Sequence, residues 1–155
     1  ITGTSAGAMN TVVLADGLLR GGSEGGRQRL REFWEAIGKL PGFGSLLWSL
    51  PGETQSHVRL EQTPPYLIWD MVSRNLSPYE LNPTNFNPLR EPLTKTVDFE
   101  RLRAGKNLPI AVCATNALTS RRRVFTNQDI SVDAVLASAC LPQLFPAVEI
   151  DGQPY

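Results

Sequence analysis

Histidine is almost missing from this chain of 155 residues: His57 is the only one, and there are only two cysteines, Cys113 and Cys140. So few soft ligands exclude a disulfide framework, and a zinc site would need partners that are not in view. Both cysteines sit in apolar settings, Ile110-Ala-Val-Cys-Ala114 and Leu136-Ala-Ser-Ala-Cys140, and read as buried free thiols, which favours a reducing compartment. Net charge is absent too. Fifteen basic residues balance fifteen acidic ones, so no overall field draws in nucleic acid or acidic ligands, and no nucleic-acid partner is expected. No apolar run approaches the roughly 18 residues of a membrane span. Repeats and low-complexity tracts are also lacking. What remains is one domain or part of one, 41% hydrophobic, with enough apolar residues for a core.

The stretch that carries chemistry comes first. Gly3-Thr4-Ser5-Ala6-Gly7 is a G-x-S-x-G pentapeptide, and an apolar-periodic run, Ala8 to Leu19, follows it. A serine on a tight strand-to-helix turn is held in a strained backbone conformation with its hydroxyl pushed outward. Glycines two before and two after, Gly3 and Gly7, would remove Cβ atoms that collide as strand and helix close together. The same turn would set the backbone N–H of Ala6 and the positive end of the helix dipole towards a developing oxyanion. Such a turn requires a strand leading into it. Only Ile1 and Thr2 precede Gly3, so the chain is expected to begin inside its own fold.

Along the chain, Ala8–Leu19 reads as a helix turning Met9, Val12, Val13 and Leu19 to the core, broken by Gly21-Gly22. Arg27–Leu40 reads as a second helix with Leu30, Phe33, Trp34, Ile37 and Leu40 on one buried stripe. Pro41–Pro65 is a long loop with large apolar residues, either a flap over a greasy substrate or a satellite helix at Ser45–Leu50; His57 lies in it. Tyr66–Leu76 looks helical and is broken by Ser77-Pro78-Tyr79-Glu80-Leu81-Asn82-Pro83. Asn87 then caps a short helix with Pro88 in its first turn, and Val97–Leu102 forms another amphipathic turn. Leu108–Ala114 reads as a strand buried on both faces, and Val124–Thr126 as a second strand after a basic corner, Arg121-Arg122-Arg123, that is either a solvated tip or a contact for anionic head groups. Val132–Cys140 is a helix with Ser131 as its N-cap. Ala147–Ile150, Asp151-Gly152 and Gln153–Tyr155 read as a hairpin.

A serine hydroxyl needs a base. In the triad order usual on an α/β sheet, an acid and then a histidine follow the serine. His57 comes too early, and Asp16, the only aspartate between it and Ser5, sits on the helix leaving the elbow. A carboxylate acting directly, a Ser–Asp dyad, remains.

Here the sequence resembles a known family. Gly3-Thr-Ser-Ala-Gly-Ala-Met-Asn10, Ser77-Pro-Tyr-Glu-Leu-Asn82 with Asn87-Pro-Leu89, Val97-Asp-Phe99, and Ala137-Ser-Ala-Cys-Leu-Pro142 with Leu144-Phe-Pro146 look like bacterial patatin-like phospholipases, in the family's order and spacing over essentially the whole chain. The resemblance implies an α/β fold, a three-layer α/β/α sandwich incomplete in this chain. It implies Ser5 as nucleophile of a Ser–Asp dyad on acyl esters of lipids, without metal or cofactor, with a lipid acyl ester as partner. Peripheral membrane contact and oligomeric state stay open. The family's glycine-rich oxyanion loop would lie upstream, and its aspartate, in an Asp-Gly-Gly or Asp-Gly-Ala motif, a few residues past Tyr155. Asp151-Gly152 is a weaker candidate, because it sits in the hairpin turn and Gln153 replaces the small residue. Two alternatives stay open: an acyltransferase or thioesterase of related fold, which would place a histidine where Thr4 or Ala6 flanks Ser5, and a lipid-binding module without catalysis.

Overall fold

A computed structural model describes residues 1–40, 77–105 and 107–155. The Pro41–Pro65 loop with its Ser45–Leu50 helix, the Tyr66–Leu76 helix and His57 lie outside the described residues.

Strand β1 (Thr2–Gly3) leads into α1 (Ala6–Gly38). Thr2 and Gly3 pair with the middle of the chain: β1 runs parallel to β2 (Ala111–Thr115) in the register Thr2 to Ala111 and Gly3 to Val112. Strand β3 (Arg122–Thr126) lies antiparallel on the other side of β2, giving a mixed sheet in the order β1-β2-β3. The hairpin of β4 (Glu149–Ile150) and β5 (Gln153–Pro154) forms a separate two-stranded sheet. Between β1 and β2 come α2 (Pro78–Leu81), α3 (Arg90–Thr96) and α4 (Phe99–Ala104); α5 (Val132–Ser138) follows β3. The described residues are thus of α/β class, with a small mixed sheet.

Gly21 and Gly22 leave helical geometry, Gly22 with φ +60°, and split α1 into two arms. The second arm folds back along the first. Gly17 and Gly25 touch so closely that a Cβ on either would lie 2.5 Å from the other's carbonyl oxygen. Further along, the Trp34 indole N–H donates to Asn10 Oδ1 at 2.8 Å. A glycine inside a helix costs about 1 kcal/mol against alanine. The first arm alone buries Val12 and Val13 completely, worth about 1.5–3 kcal/mol each, so packing outweighs the break.

The core joins Val12 and Val13 of α1 to Leu93 of α3, Leu102 of α4, Val112 of β2, Phe125 of β3 and Leu136 of α5. Several expectations need correction. Leu19 is 37% exposed, because it falls where α1 ends its first arm. Phe33 and Ile37 are buried, but Trp34 is 39% exposed and spends its N–H on Asn10. β2 is buried on alternate residues, Val112 and Ala114, while Ala111 and Cys113 are half-buried: among the described residues, helices cover one face more fully than the other. Both thiols are free but half-buried, and burial pushes the Cys140 thiol up from its ordinary pKa. Ser77 starts a helix of its own as the N-cap of α2. Its hydroxyl accepts the Glu80 N–H, the Glu80 carboxylate accepts the Ser77 N–H, and that bond holds the Glu80 carboxyl below its usual range.

Asp16 is the one fully buried charged residue among those described. Its carboxylate accepts from Arg20 Nε at 2.7 Å and from the Asp98 N–H at 3.4 Å; Arg101 stands 3.5 Å away, in ion-pair range but without hydrogen-bond geometry. The arginine side chains are 36% and 38% exposed and keep much of their water, so the carboxylate is the partner that depends on the pairing. Asp16→Asn should cost about 1–3 kcal/mol, read as a fall of several degrees in Tm. The loss should persist at high salt, because a buried pair is little screened. Arg101→Ala should cost less; equal losses, or a salt-erased Asp16 effect, would place the stabilisation elsewhere.

Candidate active site

The turn between β1 and α1 is built by its residue sizes. A methyl group on Gly3 would overlap the carbonyl of Gly7 and stand 2.5 Å from the Thr11 hydroxyl. That hydroxyl donates to the Gly7 carbonyl at 2.9 Å, so the first turn of α1 is closed directly against the end of β1. Gly7 itself has nothing among the described residues within 4 Å of a built Cβ, so among them the close contact falls at Gly3. Gly7 contributes its backbone, and Gly3 the empty space beside it.

Ser5 sits between them at φ 58°, ψ −126°, a left-handed conformation that a residue with a side chain adopts only at a cost of about 1–3 kcal/mol. It is exposed, and its hydroxyl caps no backbone group of the helix behind it. The neighbouring donors are already allocated in part. Gly7 N–H goes to the Thr4 carbonyl and Ala8 N–H to that of Ser5, both at 2.9 Å. Ser5 N–H goes to Ser138 Oγ at 3.0 Å, and Ser138 in turn donates to the Cys113 carbonyl at 2.6 Å. Ala6 N–H is left without an acceptor among the described residues, at the N-terminus of α1 where the helix dipole adds partial positive charge. An exposed serine hydroxyl beside a dipole-backed N–H that no described residue engages is an arrangement that can attack a carbonyl and hold the resulting oxyanion.

Both candidate aspartates have their carboxylates paired with arginines. Asp16 is held by Arg20 and Arg101. Asp151 stands in the hairpin turn, where it and Gly152 both have positive φ, 53° and 70°, as a type I′ turn requires. Its carboxylate accepts from Arg123 at 2.8 Å. Arg123 also lies 4.5 Å from the centre of the Phe125 ring and 5.8 Å from that of Tyr155, so this third arginine of the basic corner is a clamp rather than a solvated tip. Arg121 and Arg122 are exposed. In the sequence Arg123 reads as part of a solvated corner and Ser138 only as one residue of the Ala137-to-Pro142 motif; a hydroxyl closing an apolar helix, Val132–Ser138, is the local sign of the latter. No group of three or more His, Cys, Asp or Glu among the described residues could hold a metal ion, and no described helix is long and apolar enough to cross a membrane.

An α/β fold with a strained serine at a strand-to-helix elbow defines a class of ester hydrolases. Within it, the family model for patatin-like phospholipase matches residues 1–155, and the chain belongs to that family, whose members are hydrolases of lipid esters. No curated protein and no solved structure gives a significant match.

The geometry separates the two glycines of the elbow. Gly3→Ala should destabilise the protein by about 1–3 kcal/mol or prevent folding, since the clash is with backbone that cannot rotate away. Gly7→Ala should leave Tm unchanged or raise it by the equivalent of about 0.5–1 kcal/mol, as for glycine to alanine in a helix. Thermal unfolding of the two variants side by side checks this; equal destabilisation would contradict the open space at Gly7.

Proposed function

We propose that the protein is a serine lipid acyl hydrolase that cleaves fatty-acyl ester bonds of phospholipids or related lipids through an acyl-enzyme on Ser5. The observation that carries the reading is the backbone of Ser5 at φ 58°, with its hydroxyl exposed beside the N–H of Ala6, which has no acceptor among the described residues. In this reading the Ser5 oxygen attacks the ester carbonyl, and Ala6 N–H with the α1 dipole takes up part of the charge that develops on the carbonyl oxygen. The ester alkoxide leaves with a proton, and water then releases the fatty acid. The proton on Ser5 passes to a carboxylate, the second member of a Ser–Asp dyad. That carboxylate is the aspartate which the family carries after this hairpin, not Asp151, whose pairing with Arg123 and place at the turn favour a structural role. The architecture that goes with this chemistry is the three-layer α/β/α sandwich, of which β1-β2-β3 and their helices would be a part. The flanks of Ser5, Thr4 and Ala6, speak for hydrolysis over transfer, since neither is a histidine.

In the full-length protein Ser5→Ala should lower turnover of a soluble p-nitrophenyl ester and of phospholipid vesicles by at least about 10³-fold with Tm preserved, the scale of losing a member of a catalytic unit. Retention of a tenth of wild-type turnover would exclude Ser5 as nucleophile.

Asp151→Asn keeps the turn and weakens only the bond to Arg123, so it should hold activity within a few-fold of wild type. His57→Ala should do the same. A loss matching that of Ser5→Ala in either variant would make that residue the base.

A further inference from the structure

We propose that Ser138 is a positioning residue for Ser5, its hydroxyl standing in for a rung of the β1–β2 ladder; this rests on the reading of Ser5 as nucleophile. In the parallel register Ala111 N–H donates to the Ile1 carbonyl at 3.0 Å, and Thr2 and Gly3 pair with Ala111 and Val112. Continued by two residues on each strand, the evenly spaced parallel pattern would next join Ser5 N–H to the Cys113 carbonyl. That direct bond is not made. The Ser138 hydroxyl stands between the two groups, 3.0 Å from the nitrogen and 2.6 Å from the oxygen.

The direction of both bonds is set by chemistry. An N–H can only donate and a carbonyl can only accept, so the hydroxyl must accept from Ser5 and donate to Cys113. A single oxygen inserted in the ladder lets the chain swing away from β2 at Ser5 while its N–H stays paired. A direct rung would keep Ser5 in the extended strand. The inserted one permits φ 58° and ψ −126°, and ψ of Ser5 sets where the Ala6 N–H points.

The hydroxyl has a firm base. Ser138 closes α5, whose first turn is capped by Ser131 accepting the Ala134 N–H at 3.1 Å. Val135 and Leu136, just before Ser138, are fully buried against the core. The position of Ser5 is thus referred to a packed helix and to the central strand together, not to the short β1 alone.

The test uses the intact protein, with a fluorophosphonate probe and a soluble p-nitrophenyl ester. Ser138→Ala should slow the labelling of Ser5 and lower kcat by about 10- to 100-fold, the cost of a misplaced reacting group, with KM within about threefold. The final labelled fraction should still approach one per molecule. A purely structural role predicts the opposite pattern, a reduced final fraction and an unchanged rate for the folded molecules, and that result would overturn the proposal. Ser138→Thr, which keeps the hydroxyl, should restore the rate to within about threefold of wild type. If Ser138→Ala does not fold, Ser138→Thr against Ser138→Cys decides, since a thiol is a weak donor and acceptor: a slower Cys variant supports the proposal and equal rates overturn it. Wild-type protein that is never labelled at Ser5 would remove the nucleophile reading and this proposal with it, whereas wild-type rates in Ser138→Ala remove only the role of Ser138.

Discussion

The absence of a side chain at Gly3 is the constraint on which the rest of the site depends. The end of β1 and the first turn of α1 pass so near one another that a methyl group there would overlap the Gly7 carbonyl. With that space empty, the Thr11 hydroxyl can close the helical turn at Gly7, and the chain can reverse within Thr4 and Ser5. The reversal forces Ser5 into a left-handed backbone, and this turns its hydroxyl outward and leaves the Ala6 N–H without an acceptor among the described residues. Strain at the serine is the consequence of close packing next to it. A structure stores such strain only where its surroundings over-determine the conformation.

Those surroundings come from distant parts of the chain. Strand β2, more than a hundred residues downstream, holds β1 in register, and α5 delivers Ser138 to the gap where strand pairing stops. On the far side of the first arm of α1, the buried Asp16 carboxylate ties that arm to Arg101 and to the Asp98 N–H at the start of α4. The helix behind the elbow is thus held at its start by a small-residue contact and near its middle by charge. Both ends of the attachment matter, because a helix dipole can act on an oxyanion only while its axis stays aimed at the serine.

Local chemistry was legible wherever a residue acts on its near neighbours. The elbow, the break at Gly21-Gly22, the Ser131 cap and the Asp151-Gly152 turn all follow from backbone preferences of the residues involved, and each is present. Readings that needed a partner fared less well. Trp34 lies on the expected stripe yet stays 39% exposed, because Asn10 on the returning arm takes its N–H at the surface. Arg123 reads as one of three solvated arginines until Asp151 and two aromatic rings are brought around it. Gly7 reads like Gly3, and only the placement of neighbours tells the crowded side of the turn at Gly3 from the side at Gly7, which no described residue fills.

By itself, the sequence determined the α/β class, the serine that stands at the elbow and the family, because a glycine-flanked serine, helical periodicity and an ordered set of motifs are properties of adjacent residues. The tertiary structure alone decided which donors around Ser5 are spent and which has no acceptor among the described residues, and which aspartates are already paired. Hydrogen bonds saturate: an N–H given to Ser138 is not available to an oxyanion, and a carboxylate oxygen that accepts from Arg123 is already engaged. Such allocation depends on residues 28 to 133 positions apart, and no pattern along the chain encodes it until the fold has brought them within 3 Å of each other.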